Sequence, residues 1–250
     1  MTSSEPAGDG SSGTDRAGPE LIWMRPERPT RGPQPAHSRA ESAAAAVRVA
    51  DAEGIAAATM RRVAAEIGAG TMSLYRYVPR KEQLVDLMID LVAGEYDLPA
   101  PSGDWQADLR ALAHEQRAAI HRHPWLPAVV TGRMSLGPNA LRYFDHALGV
   151  LDGLPLAGPE KMELLAMLNG FVLSFTQWEL AETQARRQAG FSEQQWAEAY
   201  VAYIGTVVHS GKYPHFARVA AEGGQSPDAA TLFDRGVGRV LAGVAAGLPS

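Results

Sequence analysis

From Ser38 onward, apolar residues recur at helical spacing, and strict two-residue alternation bounded by turn residues appears nowhere. Ser38 predicts the cap of a helix running to about Glu53, with Ala43, Ala46, Val47 and Ala50 on one face and Gly54 beyond its end. Thr59 opens a short second helix carrying Met60, Val63, Ala64 and Ile67, and Gly68-Ala69-Gly70 closes it. Thr71 opens a third, in which Leu74 and Val78 stand four apart before Pro79 ends it. Leu84, Leu87, Met88, Leu91 and Val92 form the apolar stripe of a fourth. Beyond Gly94, breaks at Pro and Gly clusters predict helices at 104–122, 125–132, 138–152, 159–188, 192–209 and 227–246, with a short piece near 214–221. The fold class is all-α.

Residues 1–37 contain five Gly, six Pro and four Ser, a composition too poor in apolar side chains to offset the entropy of ordering. They are expected to be a disordered N-terminal arm. Within it, Leu21-Ile22-Trp23-Met24 is apolar, and Arg25, Arg28 and Arg31 follow among prolines, as in an arm that docks on a partner and reaches a minor groove or flanking phosphates; a plain tail is the other reading. The absence of cysteine removes disulfide scaffolds, Cys-based zinc sites and thiol nucleophiles. No apolar run approaches the roughly 18 residues a membrane span needs, so a soluble cytoplasmic protein without a membrane partner is expected. The net charge of −5 argues against bulk coating of nucleic acid, but it is unevenly placed. Residues 21–81 hold ten Arg and Lys against five Asp and Glu, whereas 82–250 hold twelve against nineteen. A basic section beside an acidic one suggests that only the first meets a polyanion.

The second and third helices, joined by a tight Gly-containing turn, have the dimensions of a helix-turn-helix. If Leu74 and Val78 face the core, Met72, Ser73 and Arg76 point away, with Tyr75 at the margin and Thr71 and Tyr77 on the flanks. Such a face suits base edges and phosphate oxygens. The runs Thr59-Met60-Arg61-Arg62-Val63-Ala64-Ala65-Glu66-Ile67-Gly68, Met72-Ser73-Leu74-Tyr75-Arg76-Tyr77-Val78 and Lys81-Glu82-Gln83-Leu84 closely resemble the tetracycline-repressor (TetR) family signature. More weakly, His123-Pro124-Trp125-Leu126, Gly137-Pro138-Asn139, Tyr213-Pro214 and Phe233-Asp234-Arg235-Gly236 are similar to the ligand-binding domain of its tetracycline-repressor-like branch. The resemblance implies that Thr71, Ser73 and Arg76 face the major groove of a double-stranded DNA operator. It further implies that Tyr75, Tyr77 and Lys81 hold phosphates, that Arg61 approaches a base or phosphate, and that Thr59 caps its helix near the backbone. Arg76 departs from the aromatic or small residue frequent there, which implies an operator other than the tetracycline operator.

Enzyme signals are poor. His114-Glu115 begins like a zinc-protease motif, but Ala118 stands where the second histidine belongs. No phosphate-binding loop, dinucleotide fingerprint or nucleophile elbow is present, so neither catalytic residues, metal nor cofactor are expected. In the long segment 159–188, Asn169 and Gln177 lie among Phe171 and other aromatics, as in the wall of a mainly apolar small-molecule site. His114, Arg117, Trp125, Met134 and Phe144 are the candidates from other helices. A polar residue satisfied within the bundle core is the other reading of each. The apolar face of 227–246 (Leu232, Val237, Val240, Leu241, Val244) together with 159–188 is expected to build a homodimer interface. The expected organisation is an arm at 1–37, a helix-turn-helix DNA-binding domain at 38–84 and a helical ligand-binding and dimerisation domain at 85–250. The function it points to is a transcriptional repressor released from a palindromic operator by a small apolar or aromatic effector. The alternatives are a ligand-independent DNA-binding regulator and an all-α interaction module or enzyme.

Overall fold

The computed structural model describes residues 21–25, 37–130, 136–190, 192–222 and 227–248. Every regular element among them is helical. Helix α1 (Arg39–Glu53) starts in a capping box: Ser38 Oγ accepts from the Glu41 amide at 3.0 Å while Glu41 accepts from the Ser38 amide at 2.8 Å. Its buried face is mostly alanine (Ala43, Ala45, Ala46, Ala50), which lets α4 (Lys81–Ala93) lie close along it. In the chain between them come α2 (Met60–Glu66) and α3 (Thr71–Tyr77), and Gly68 supplies the left-handed turn that joins α2 to α3 at φ +68°. This head closes over Leu74, Val63, Leu84 and Met88.

The body comprises α5 (Trp105–Arg122), α6 (Leu126–Val130), α7 (Pro138–Val150), α8 (Gly158–Ala189), α9 (Glu193–His209), α10 (Pro214–Glu222) and α11 (Ala229–Gly247). Helix α8 has 32 residues, about 48 Å of axis. Its Leu164, Leu165, Leu168 and Val172 are buried, and it packs on α5 and α11. Helix α4 reaches from the head into the body and packs on α7.

The apolar face of 227–246, expected to join 159–188 in a homodimer interface, is divided: Val237 and Leu241 are fully buried with Phe233, while Leu232, Val240 and Val244 are half-buried. Most of the large exposed apolar side chains among the described residues lie on α9, α10 and the outer side of α8, where Val201 is 70% and Trp178 49% exposed. Helices α9 and α10 pack on one another and touch the remainder sparsely. One expectation needs correcting: part of the arm is ordered. Leu21–Arg25 makes a single 3-10 turn in which Ile22 is only 2% exposed and Trp23 packs half-buried against the core, while Leu21 and Met24 stay exposed, so two apolar side chains seat the turn despite the Pro- and Gly-rich stretch around it. Arg28 and Arg31 lie outside the described residues.

Candidate nucleic-acid interface and effector cavity

Helix α3 is seated by Leu74 and Val78, both fully buried, and the opposite face is presented outward. Met72 is 79% exposed; Tyr75 and Arg76 are exposed beside it, and Thr71, Ser73 and Tyr77 flank it half-buried. Thr59 caps α2, its Oγ1 accepting from the Arg62 amide at 3.2 Å. Adjacent arginines on α2 then divide in purpose. Arg62 forks onto Glu53 at 2.8 Å and Glu66 at 2.9 Å, bonds that raise the affinity of its guanidinium for its proton and hold the Glu66 carboxyl below the usual range. Arg48 adds a weaker contact to Glu66 at 3.4 Å. Arg61, Arg76 and Lys81 are exposed and have no acidic partner among the described residues. Arg80 shares this property and was not singled out in the sequence; its place between the α3 motif and Lys81 is the signal that would have found it.

A second site lies inside the body. Helices α4 to α8 line a cavity of about 320 Å³ that is partly open to solvent, and among the described residues no charged side chain lines it. Its polar centre is a triad. Gln116 Nε2 donates to Tyr143 Oη at 2.6 Å and to Asn169 Oδ1 at 2.9 Å, and Tyr143 Oη donates to the same Asn169 oxygen at 2.9 Å. Gln116 Oε1 and Asn169 Nδ2 remain without a partner among the described residues, one acceptor and one donor. Tyr96 and Phe144 pack edge-on against Tyr143 with ring centroids 5.5 and 5.4 Å away. Burial pushes the Tyr96 hydroxyl up to about 12 and raises that of Tyr143 as well, so both phenols are neutral at physiological pH.

Of the sequence candidates, Phe144 and Asn169 line this cavity, while Met134 lies outside the described residues. The others stand elsewhere. His114 bonds Asp234 at 2.8 Å and packs on Phe233; Arg117 forks onto Glu179 at 2.6 and 3.1 Å and lies over the Phe233 ring. Phe171 packs against Gly236, Phe175 and Phe233, joining α8 to α11, and Gln177 is exposed on α8. Trp125 is buried and donates Nε1–H to Asp51 at 2.7 Å. Sequence reasoning missed Tyr96, Gln116 and Tyr143, which carry no motif.

Two buried polar residues connect head and body. Asp90 of α4 caps α7: its Oδ1 accepts from the Asn139 and Ala140 amides, each at 2.9 Å. His123, 6% exposed, lies between Asp51 at 2.8 Å and Glu95 at 3.1 Å, tying the end of α1 and the end of α4 to the α5–α6 connection.

Residues 43–88 match the family described as bacterial regulatory proteins, tetR family, and residues 98–248 match the tetracyclin repressor-like, C-terminal domain. The chain belongs to the TetR family. It is a DNA-binding transcriptional regulator of that family, with a helix-turn-helix followed by a helical C-terminal domain. The transcriptional repressor DrrR1 of Streptomyces coeruleorubidus is 40% identical over 205 residues, 81% of this chain and 76% of that one. Apo ActR of Streptomyces coelicolor superposes with a TM-score of 0.71 at 25% identity, covering 86% of this chain and 98% of ActR. ActR has also been solved in complex with actinorhodin, a structure that matches at TM-score 0.70 and 23% identity over 88% of this chain and all of that one. Among the described residues of this TetR-family chain, no helix is long and apolar enough to cross a membrane.

Proposed function

We propose that this regulator is a homodimeric repressor that an uncharged, largely aromatic small molecule releases from a palindromic operator. The observation that carries the reading is the cavity, free of charged side chains among the described residues, whose walls include α4, the helix that starts at the reading head. A ligand can weaken DNA binding only if it prefers the conformation in which the two heads are wrongly placed. Helix α4 and the Asp90 cap on α7 give it a mechanical path. Within the cavity, Asn169 Nδ2 and Gln116 Oε1 offer one donor and one acceptor to orient a ligand held mainly by apolar contact. The ActR complex is an instance of this fold holding a small molecule.

In this reading, residues 38–84 are the DNA-binding unit and 85–250 the effector and dimerisation unit. Thr71, Ser73 and Arg76 read base edges; Thr59, Tyr75, Tyr77, Arg80 and Lys81 hold phosphates; Arg61 meets either. Support for the dimer comes from the apolar side chains left outside on α9, α10 and outer α8, among them Tyr200, Val201, Phe216, Val219, Met167 and Trp178. A second copy is the partner that covers them and supplies the second half-site.

The test starts with duplexes enriched from a random pool by the purified protein, which are expected to carry an inverted repeat. Anisotropy titrations of such a duplex with size-matched neutral and anionic polycyclic aromatics then follow. Release by neutral compounds alone is expected. Failure to enrich any duplex rejects the DNA-reading assignment, and equal release by anions rejects the cavity.

A further inference from the structure

The short turn Leu21–Arg25 lies upstream of the helix-turn-helix match, which begins at residue 43, yet it is built into the molecule at the junction of head and body. It closes on itself through the Met24 amide to the Leu21 carbonyl at 3.0 Å. Ile22 is buried in the core, and the Trp23 indole lies on Gly137 so closely that any side chain there would run into both the indole and the Asp90 carboxylate. Gly137 is the residue before α7, and Asp90 is the α4 carboxylate that caps α7. Trp23 therefore sits over the point where α4 is fastened to α7, the helix that carries Tyr143 and Phe144 into the cavity.

The turn's other side is held by one guanidinium. Arg39 Nη1 donates to the Ile22 carbonyl at 3.1 Å and to the Arg25 carbonyl at 2.7 Å, and Arg39 Nε donates to the Tyr77 carbonyl at 3.2 Å. Tyr77 is the last residue of α3. Charge-assisted bonds from a planar, multiply donating group fix direction as well as distance. One side chain thus fastens the turn to the end of the reading helix, while the turn's own indole bears on the α4–α7 junction.

We propose that Leu21–Arg25 is a positioning strap, with Arg39 its clasp, that sets the orientation of the reading helix relative to the body and thereby the half-site spacing the dimer accepts. The strap touches no base itself. This inference rests on the dimeric DNA-reading assignment above. In a dimer the bodies fix the two-fold axis, so the tilt of each head determines where its reading helix meets the groove. One added base pair between half-sites rotates the second by roughly a tenth of a turn, which a rigidly held pair of heads does not follow.

The experiment compares the full-length protein with Trp23→Ala, Ile22→Ser and Arg39→Ala on the inverted repeat that the unaltered protein enriches, with the spacer left as selected or changed by one base pair. The unaltered protein is expected to lose on the order of tenfold in affinity when the spacer changes, a penalty of the size of a mismatched site. The strap variants are expected to lose less than about threefold, while keeping the same base preference within a half-site. Trp23→Phe should restore the spacing preference, and Trp23→Ala, a half-exposed position, answers the question if Ile22→Ser does not fold. A strap variant that melts earlier but discriminates spacers as the unaltered protein does shows mere packing and overturns the proposal. Enrichment of no inverted repeat by the unaltered protein overturns the DNA-reading assignment and the strap with it, an outcome visible before any variant is made.

Discussion

The reading head and the effector cavity treat charge in opposite ways. On the head, Arg61, Arg76, Arg80 and Lys81 stand in water without acidic partners among the described residues, while Glu53 and Glu66 are drawn aside by Arg62. Exposed cations cost little to maintain, and on DNA they release counterions, so affinity is salt-dependent by construction. In the cavity no charged side chain stands among the described residues, and the three polar residues of the triad satisfy most of one another's hydrogens. An ion entering there would lose hydration and meet no counter-charge among those residues. On the proposed reading, one chain selects a polyanion at one end and a neutral molecule at the other. Packing is then the route between sites so different in charge: α4 spans both, and Asp90 and His123 fasten it at two heights.

The largest expected effect breaks the comparison at the head. Leu74→Ala empties a fully buried position in a small core and should cost about 2–5 kcal/mol of head stability. DNA binding should be lost at temperatures where the body still melts normally and still takes up effector. Calorimetry with parallel DNA and effector titrations checks this; joint loss of both functions would mean that head and body are one cooperative unit. Smaller effects sharpen the head's own division of labour. Arg76→Ala should cost roughly 1–3 kcal/mol on the selected duplex and relax preference at one base pair per half-site. Lys81→Ala should weaken all sequences alike and lower the salt slope by about one unit per contact. Affinity-versus-salt series on selected and scrambled duplexes separate the two, and identical behaviour would remove Arg76 from base reading.

The same contrast explains what could be read from the chain. The head's site is one face of a seven-residue helix, so a helical wheel sufficed to bury Leu74 and Val78 and to expose Met72 and Arg76. The cavity's site is assembled from Tyr96, Gln116, Tyr143 and Asn169, which come together only by tertiary packing. Residues chosen for their chemistry alone, His114, Arg117 and Phe171, turned out to face α11 and the far part of α8. Nothing within the sequence around Arg117 announces Glu179, 62 positions on. The apolar run Leu21–Met24 was legible as a docking segment, but its seat was not, because Gly137 and Asp90, against which Trp23 lies, are brought there only by tertiary packing.

The smallest effect tests the neutrality of the cavity. Tyr143→Phe removes two hydrogen bonds, the one Oη accepts from Gln116 and the one it donates to Asn169, and leaves the Gln116–Asn169 bond in place, so stability should fall by about 0.5–1.5 kcal/mol for each. Effector affinity should fall several-fold, because Asn169 loses one of the two donors that orient it. The pH dependence follows from the direction of the phenol shifts. Burial holds Tyr96 at about 12 and raises Tyr143, so the folded state keeps their protons after the unfolded chain, with phenols near 10, has released them. This contribution is fully present below about pH 10 and is lost as the pH climbs from there towards 12. Thermal unfolding and effector binding should therefore show no step from these groups between about pH 7 and 9. Above about pH 10 stability should decline, less steeply in Tyr96→Phe and Tyr143→Phe than in the unaltered protein. A step centred below about pH 9 that either phenylalanine variant abolishes would place an ionised phenol beside the ligand, and the contrast in charge between the two sites would fall.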